Sequence, residues 1–114
     1  MANLDGLYLI ADLYLDELPT KEQLSVLMKQ SIEIAKITVI DGPNLYETQQ
    51  SIQGITILAE SHCSVHVIKA SHPPYYCFYD LYSCKPFEIR KIVDMLKRHW
   101  KVIRTYQLRR TELS

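Results

Sequence analysis

The sequence predicts an α+β fold: a two-layer sandwich with two helices on one face of a largely antiparallel sheet, in the order β-α-β-β-β-β-α-β. Three observations carry that expectation. Apolar residues fall at helical spacing in only two stretches, 20–36 and 86–99. Strand-like segments follow one another between those stretches with no room for a crossover helix, so neighbours there pair antiparallel. Hydrophobic residues make up 47% of the 114, enough for one core and a single domain spanning 1–114.

Residues 6–15, from Gly6 to Leu15, are dense in aromatic and aliphatic side chains and read as a buried strand. Thr20 offers an N-cap, and Gln23 three residues on completes a capping box. Leu24, Leu27, Met28 and Ile32 then share one helical face, which predicts a helix over 20–36. Ile37-Thr38-Val39-Ile40 is β-branched and short, and Asp41-Gly42-Pro43-Asn44 reads as the turn that ends it. The polar stretch 45–53 reads as a loop. Residues 54–60, 63–69 and 75–83 read as strands, with His72-Pro73-Pro74 between the last two. Pro86 suits the first turn of a helix. Ile89, Ile92, Val93, Leu96 and Trp100 continue that helix on one face through 86–99. Residues 101–108 read as the last strand. The rings of Tyr8, Tyr14, Tyr76, Phe78, Tyr79 and Tyr82 lie on strands and need cover, which predicts a homodimer.

Lysine plus arginine equals aspartate plus glutamate, at 13 each. A neutral chain carries no electrostatic footprint for nucleic acid or an anionic membrane. The basic residues of the last third fit a solvated helix face and a tail. No apolar run approaches the roughly 20 residues that cross a bilayer. The first residues lack the basic start of a signal peptide, so a cytoplasmic location is expected. Cys63, Cys77 and Cys84 are odd in number and show no CxxC spacing, which predicts free thiols.

The chemistry concentrates in Leu58-Ala59-Glu60-Ser61-His62-Cys63-Ser64-Val65-His66. A hydroxyl placed against its own preceding carbonyl can attack it and cut the backbone. Read without that chemistry, Ser61 and His62 are polar residues in a tight connection between strands. Alternation along 63–69 puts Cys63, Val65 and Val67 on one face and Ser64, His66 and Ile68 on the other. Ser61, His66 and Cys84 are expected to converge at one end of the sheet as nucleophile, base and proton donor. His62, His66, His72 and Cys84 could instead be weighed as metal ligands. The four-residue spacing of His62 and His66 suits zinc on a helix and not on a strand, so no metal is expected. A Cys84–His66 nucleophilic pair lacks a third orienting group.

Gly54 to His66, followed by Tyr79-Asp80-Leu81-Tyr82-Ser83-Cys84, resembles the core signature of the prokaryotic S-adenosylmethionine decarboxylases. Gly6 to Tyr14 is similar to that family's first strand, and the order of elements agrees. The resemblance implies a self-processing proenzyme. The serine matching Ser61 attacks the carbonyl of the residue matching Glu60, and the resulting ester eliminates to dehydroalanine. Hydrolysis then leaves a pyruvoyl group derived from Ser61, with cleavage between Glu60 and Ser61. His66 matches the family's processing histidine, and Cys84 the cysteine that protonates the product carbon. The pyruvoyl carbonyl forms a Schiff base with the substrate amine and serves as the electron sink for decarboxylation.

The chain also departs from the family's pattern. Val67-Ile68-Lys69 replaces Trp-Pro-Glu, whose glutamate holds the substrate ribose. The phenylalanine that stacks on adenine falls near Glu47, with Tyr46 the nearest ring, so these two are the substrate-binding candidates. Gln53 replaces a serine that assists processing. Three readings follow: a decarboxylase of polyamine biosynthesis acting on S-adenosylmethionine, a relative acting on arginine or ornithine, or an unprocessed homologue with a structural or regulatory role. In the second, Asp12, Glu47 or Asp80 would meet the cationic end of a basic amino acid. In the first two, the partners are a small-molecule substrate and a second processed copy of the chain.

Overall fold

Alternation along β1 (Gly6–Leu15) sets the architecture. Leu7, Leu9, Ala11, Leu13 and Leu15 are buried, while Tyr8, Ile10, Asp12 and Tyr14 point the other way and stay partly open. The computed structural model describes residues 5–110. After β1 come α1 (Lys21–Ala35), β2 (Val39–Glu47), β3 (Ser51–Leu58), β4 (Ser61–Ile68), β5 (Tyr75–Ser83), α2 (Ile89–His99) and β6 (Lys101–Arg110). The six strands make one antiparallel sheet in the order β2-β3-β4-β5-β1-β6. The expected α+β class and element order are both observed.

α1 forms where its cap directs it. The Gln23 amide donates to Thr20 Oγ1 at 3.1 Å, and the Thr20 amide donates to Gln23 Oε1 at 2.9 Å. Leu24, Leu27, Met28, Ile32 and Ala35 are buried in the core cluster. Each buried Leu or Met side chain contributes roughly 1.5–3 kcal/mol. α2 buries Ile92, Met95 and Leu96 and carries Lys97, Arg98 and His99 in its last turn, where the helix dipole favours cations. It starts at Ile89 and not at Pro86. Its first helical bond runs from the Ile92 amide to the Glu88 carbonyl, and Phe87 is used instead to pack against the core.

The far edge of the sheet differs most from the sequence reading. β2 does not stop at Asp41 but runs through Pro43 to Glu47, and β3 begins at Ser51, so the loop read over 45–53 shrinks to 48–50. Register shifts between Val39 and Asp41, and between Asp41 and Asn44, absorb Gly42 and Pro43. An edge strand tolerates bulges and a proline because half of its backbone groups need no ladder partner. Thr48 closes the hairpin, its Oγ1 accepting from the amides of Gln50 and Ser51 at 3.1 Å each. Ser61 and His62 are the first residues of β4, and the connection before them is Ala59-Glu60 alone.

Gly54 lets β3 lie close beneath α1. A Cβ there would meet Leu45 Cδ1 at 2.6 Å, and Met28 Sδ and Val65 Cγ2 at 3.0 Å. Gly54→Ala is expected to cost about 1–3 kcal/mol by overpacking. The measurement is a denaturant titration, with a lower midpoint at unchanged slope. An unchanged midpoint contradicts this packing.

Both helices and the core lie on one side of the sheet. On the other side Ile55, Ile57, Tyr76, Phe78, Tyr106 and Leu108 are exposed together. An apolar surface of that kind marks an interaction face.

Candidate active site

The β3–β4 turn is two residues long, with Leu58 paired to Ser61 across it. This tight reversal holds Glu60 in the left-handed region at φ 60°, which costs a residue with a Cβ about 1–2 kcal/mol. The Glu60–Ser61 bond thus lies at a strained corner. Ser61 pairs with Ser83 of β5, and Ser83 pairs on its other side with Leu7 of β1. Cys84 follows Ser83 directly. The hydroxyl and the thiol therefore stand on neighbouring strands at the same end of the sheet. Cys84 opens on a cavity of about 160 Å³ walled also by Gly6, Leu7, Pro86 and Arg109.

The three cysteines are free, and two are closed off. Burial pushes the Cys63 and Cys77 thiols up to about 12, so neither is a thiolate near neutral pH. Cys84 is the partly exposed one.

His66 lies elsewhere. The expected split of β4 into Cys63, Val65 and Val67 on one face and Ser64, His66 and Ile68 on the other is observed, the first set being buried. Ser61 shares the odd-numbered, helix-side alternation, while His66 is on the open face. Five residues at about 3.3 Å each separate them by roughly 16 Å. His66 stands between Gln53 of β3 and Phe78 of β5, its ring edge-on to Phe78 at 6.5 Å. The expected convergence is therefore corrected for His66, which one chain leaves remote from Ser61, while Ser61 and Cys84 share one end of the sheet. An odd separation along a strand puts two side chains on opposite faces.

The two substrate-binding candidates also part. Tyr46 pairs with Gln53 and so faces the open side. It shares a cavity of about 250 Å³ with Gln53, Ile55, Ser64 and His66. Glu47 pairs with the buried Ile52 and faces the other way. Lys69 Nζ binds its carboxylate at 2.7 Å and the Thr48 carbonyl at 2.7 Å, and that hydrogen bond holds Glu47 below the usual carboxylate range. The Gln53 amide donates to Ser51 Oγ at 3.4 Å.

Sequence reasoning passed over a cluster beside Ser61. His62 Nε2 lies 3.6 Å from Asp80 Oδ1. That oxygen is shut off from water and lacks a hydrogen-bond partner. Burial, then the charge of Asp80 and a hydrogen bond to it, hold the Tyr8 hydroxyl above the usual tyrosine range. The His62 ring stacks on Tyr82 at 5.9 Å, and Tyr8 packs against both. Tyr82 Oη lies 3.9 Å from Cys84 Sγ. The signal was available in principle, since Tyr8, His62, Asp80 and Tyr82 share one alternation parity once the register is known.

Each of the three acidic candidates has a basic neighbour. Asp12 is paired with Arg104 Nε at 3.0 Å, Glu47 with Lys69, and Asp80 with His62. His72 lies in the β4–β5 connection beside Ser71. Among the described residues, no three of His, Cys, Asp and Glu gather as a metal site. No helix among them is long and apolar enough to cross a membrane.

Residues 8–111 match the sequence profile of S-adenosylmethionine decarboxylase. Among solved structures, the chain is similar to the crystal structure of the adenosylmethionine decarboxylase from Aquifex aeolicus VF5. The TM-score is 0.73 at 24% identity, over 99% of this chain and 96% of that one. At that identity the likeness speaks for the fold. No curated protein matches the chain.

Proposed function

Since the chain belongs to the S-adenosylmethionine decarboxylase family, we propose that it is a self-processing, pyruvoyl-dependent decarboxylase of polyamine biosynthesis. The observation that carries this reading is the strained Glu60–Ser61 corner beside Cys84. Ser61 Oγ attacks the Glu60 carbonyl carbon, and the peptide C–N bond breaks as the ester forms. Elimination then gives up the Ser61 Cα proton to solvent, breaks the Ser61 Cβ–Oγ bond and releases the Glu60 carboxylate. Water takes the place of the residue-61 nitrogen, which leaves as ammonia. The left-handed turn favours this course because cleavage releases the strain at Glu60.

The site fits the group so produced. The new carbonyl stands at the head of β4, next to Cys84 and its cavity. It supplies an electron sink for the substrate's amine-bearing carbon. Cys84 holds the proton that the product carbon takes up.

His66 serves Ser61 from a second copy. Its distance from Ser61 in one chain and the exposed apolar face around it support that arrangement. A second copy covering the open face is the arrangement that can supply a His66 to Ser61, at the first residue of β4. Each site is then built from both protomers of a homodimer.

S-adenosylmethionine is the substrate this arrangement favours over arginine or ornithine. Asp12 and Glu47 are ion-paired within the chain and Asp80 lies against His62, so each of these three candidates for a basic side chain already has a neighbour of its own. Tyr46 and Phe78 offer ring faces to a nucleobase and to a sulfonium cation. The test is carbon dioxide release from the three compounds side by side. Release from S-adenosylmethionine alone is expected. Preference for arginine or ornithine overturns the assignment.

One observation favours a second reading, an unprocessed homologue. Gln53 stands directly opposite His66, where the family pattern has a serine that assists processing. That reading predicts an uncut chain that releases no carbon dioxide.

A further inference from the structure

Tyr82 is more enclosed than a ring at the end of a surface strand needs to be. Tyr8 packs on it from β1 at 5.6 Å and His62 from β4 at 5.9 Å. The Arg110 guanidinium of β6 lies over it at 5.8 Å. Gly6 completes the enclosure, since a Cβ at that position would run into the Tyr82 hydroxyl and the ring carbons beside it. His62 is itself anchored by Asp80 at 3.6 Å. The outcome is one placement for the hydroxyl, 3.9 Å from Cys84 Sγ.

We infer that Tyr82 is a positioning residue for Cys84: its hydroxyl donates to the sulfur and holds the thiol toward the Ser61 end of the sheet. The inference rests on the reading of Cys84 as the acid of the reaction and adds the group that aims it. The direction of donation follows from the chemistry of the pair, since a phenol is a full O–H donor and a thiol a weak one. The hydrogen bond to Cys84, then burial and the charge of Cys84, hold Tyr82 above the usual tyrosine range against the opposing pull of Arg110. The protonated hydroxyl is thus the group that can donate, and a bond donated to sulfur strengthens where the sulfur carries charge. The other charged or titratable groups facing this pair are His62, Asp80, Tyr8 and Arg110 around the ring, and Asp5 and Arg109 in the cavity on which Cys84 opens.

The experiment is alkylation by iodoacetamide in the uncut Ser61→Ala chain, so that neither cleavage nor turnover enters the result. The thiolate is the reacting form. Cys63 and Cys77 are buried with thiols pushed up to about 12, so the fast-reacting site is Cys84, located by peptide mass. Adding Tyr82→Phe keeps the ring and removes the donor, and is expected to slow alkylation at pH 7 by roughly three- to tenfold. Adding Gly6→Ala keeps the donor but displaces the ring, and is expected to slow it similarly. Rates in denaturant should be equal for all three chains. An unchanged or faster rate in Tyr82→Phe overturns the inference, whether or not the wild-type chain proves to cleave itself. Absence of cleavage in the wild type, with the alkylation effect intact, would instead count against the function proposed above.

Discussion

Ser61→Ala is expected to leave the chain whole and to reduce carbon dioxide release to background. The side-chain oxygen is the only atom of residue 61 that can attack the Glu60 carbonyl. The nearest hydroxyl across the ladder, on Ser83, is buried and accepts from the Lys85 amide at 2.9 Å. Held there on another strand, it does not substitute for Ser61. Ser61 is only partly buried, and exchanging a hydroxyl for hydrogen at such a position typically changes stability by less than about 1 kcal/mol. The variant should therefore melt close to the wild type, which separates lost chemistry from lost folding. Two chains recovered from Ser61→Ala would contradict the role given to this residue.

The second large effect concerns mixed dimers. Chains carrying Ser61→Ala alone or His66→Ala alone are each expected to be inactive. If each site takes Ser61 from one protomer and His66 from the other, a mixed dimer has one intact site and one doubly defective site. Co-expression in equal amounts makes half the dimers mixed, so about a quarter of wild-type activity should return. Two differently tagged chains purified in tandem leave only mixed dimers, which should show about half of wild-type activity in cleavage and carbon dioxide release. Mixed dimers that stay inactive would contradict a site shared between protomers.

Much of this architecture was legible along the chain because it depends on local spacing. Thr20 and Gln23 announced the start of α1 through a capping box that is present atom for atom. Alternation from Cys63 to Ile68 announced which side chains enter the core. What could not be read was register. Whether Ser61 meets His66 depends on parity and on which strand lies alongside, and sequence spacing suggested proximity where the pleat imposes opposite faces. The His62–Asp80–Tyr82 cluster was hidden for the same reason, since His62 stands 18 and 20 residues from Asp80 and Tyr82 in sequence and beside them only once Ser61 is paired with Ser83. β2 was cut short because Gly42 and Pro43 look like a turn, while an edge strand absorbs them as bulges. Tyr46, read as part of a loop, became a strand residue facing His66 through that same extension.

The account stands most directly on the mass of the purified wild-type chain after prolonged incubation. It predicts two polypeptides, 1–60 and 61–114, the second blocked at its amino terminus and reactive as a carbonyl toward a hydrazine. A single chain of 13.3 kDa, still beginning β4 with an intact serine, would contradict it.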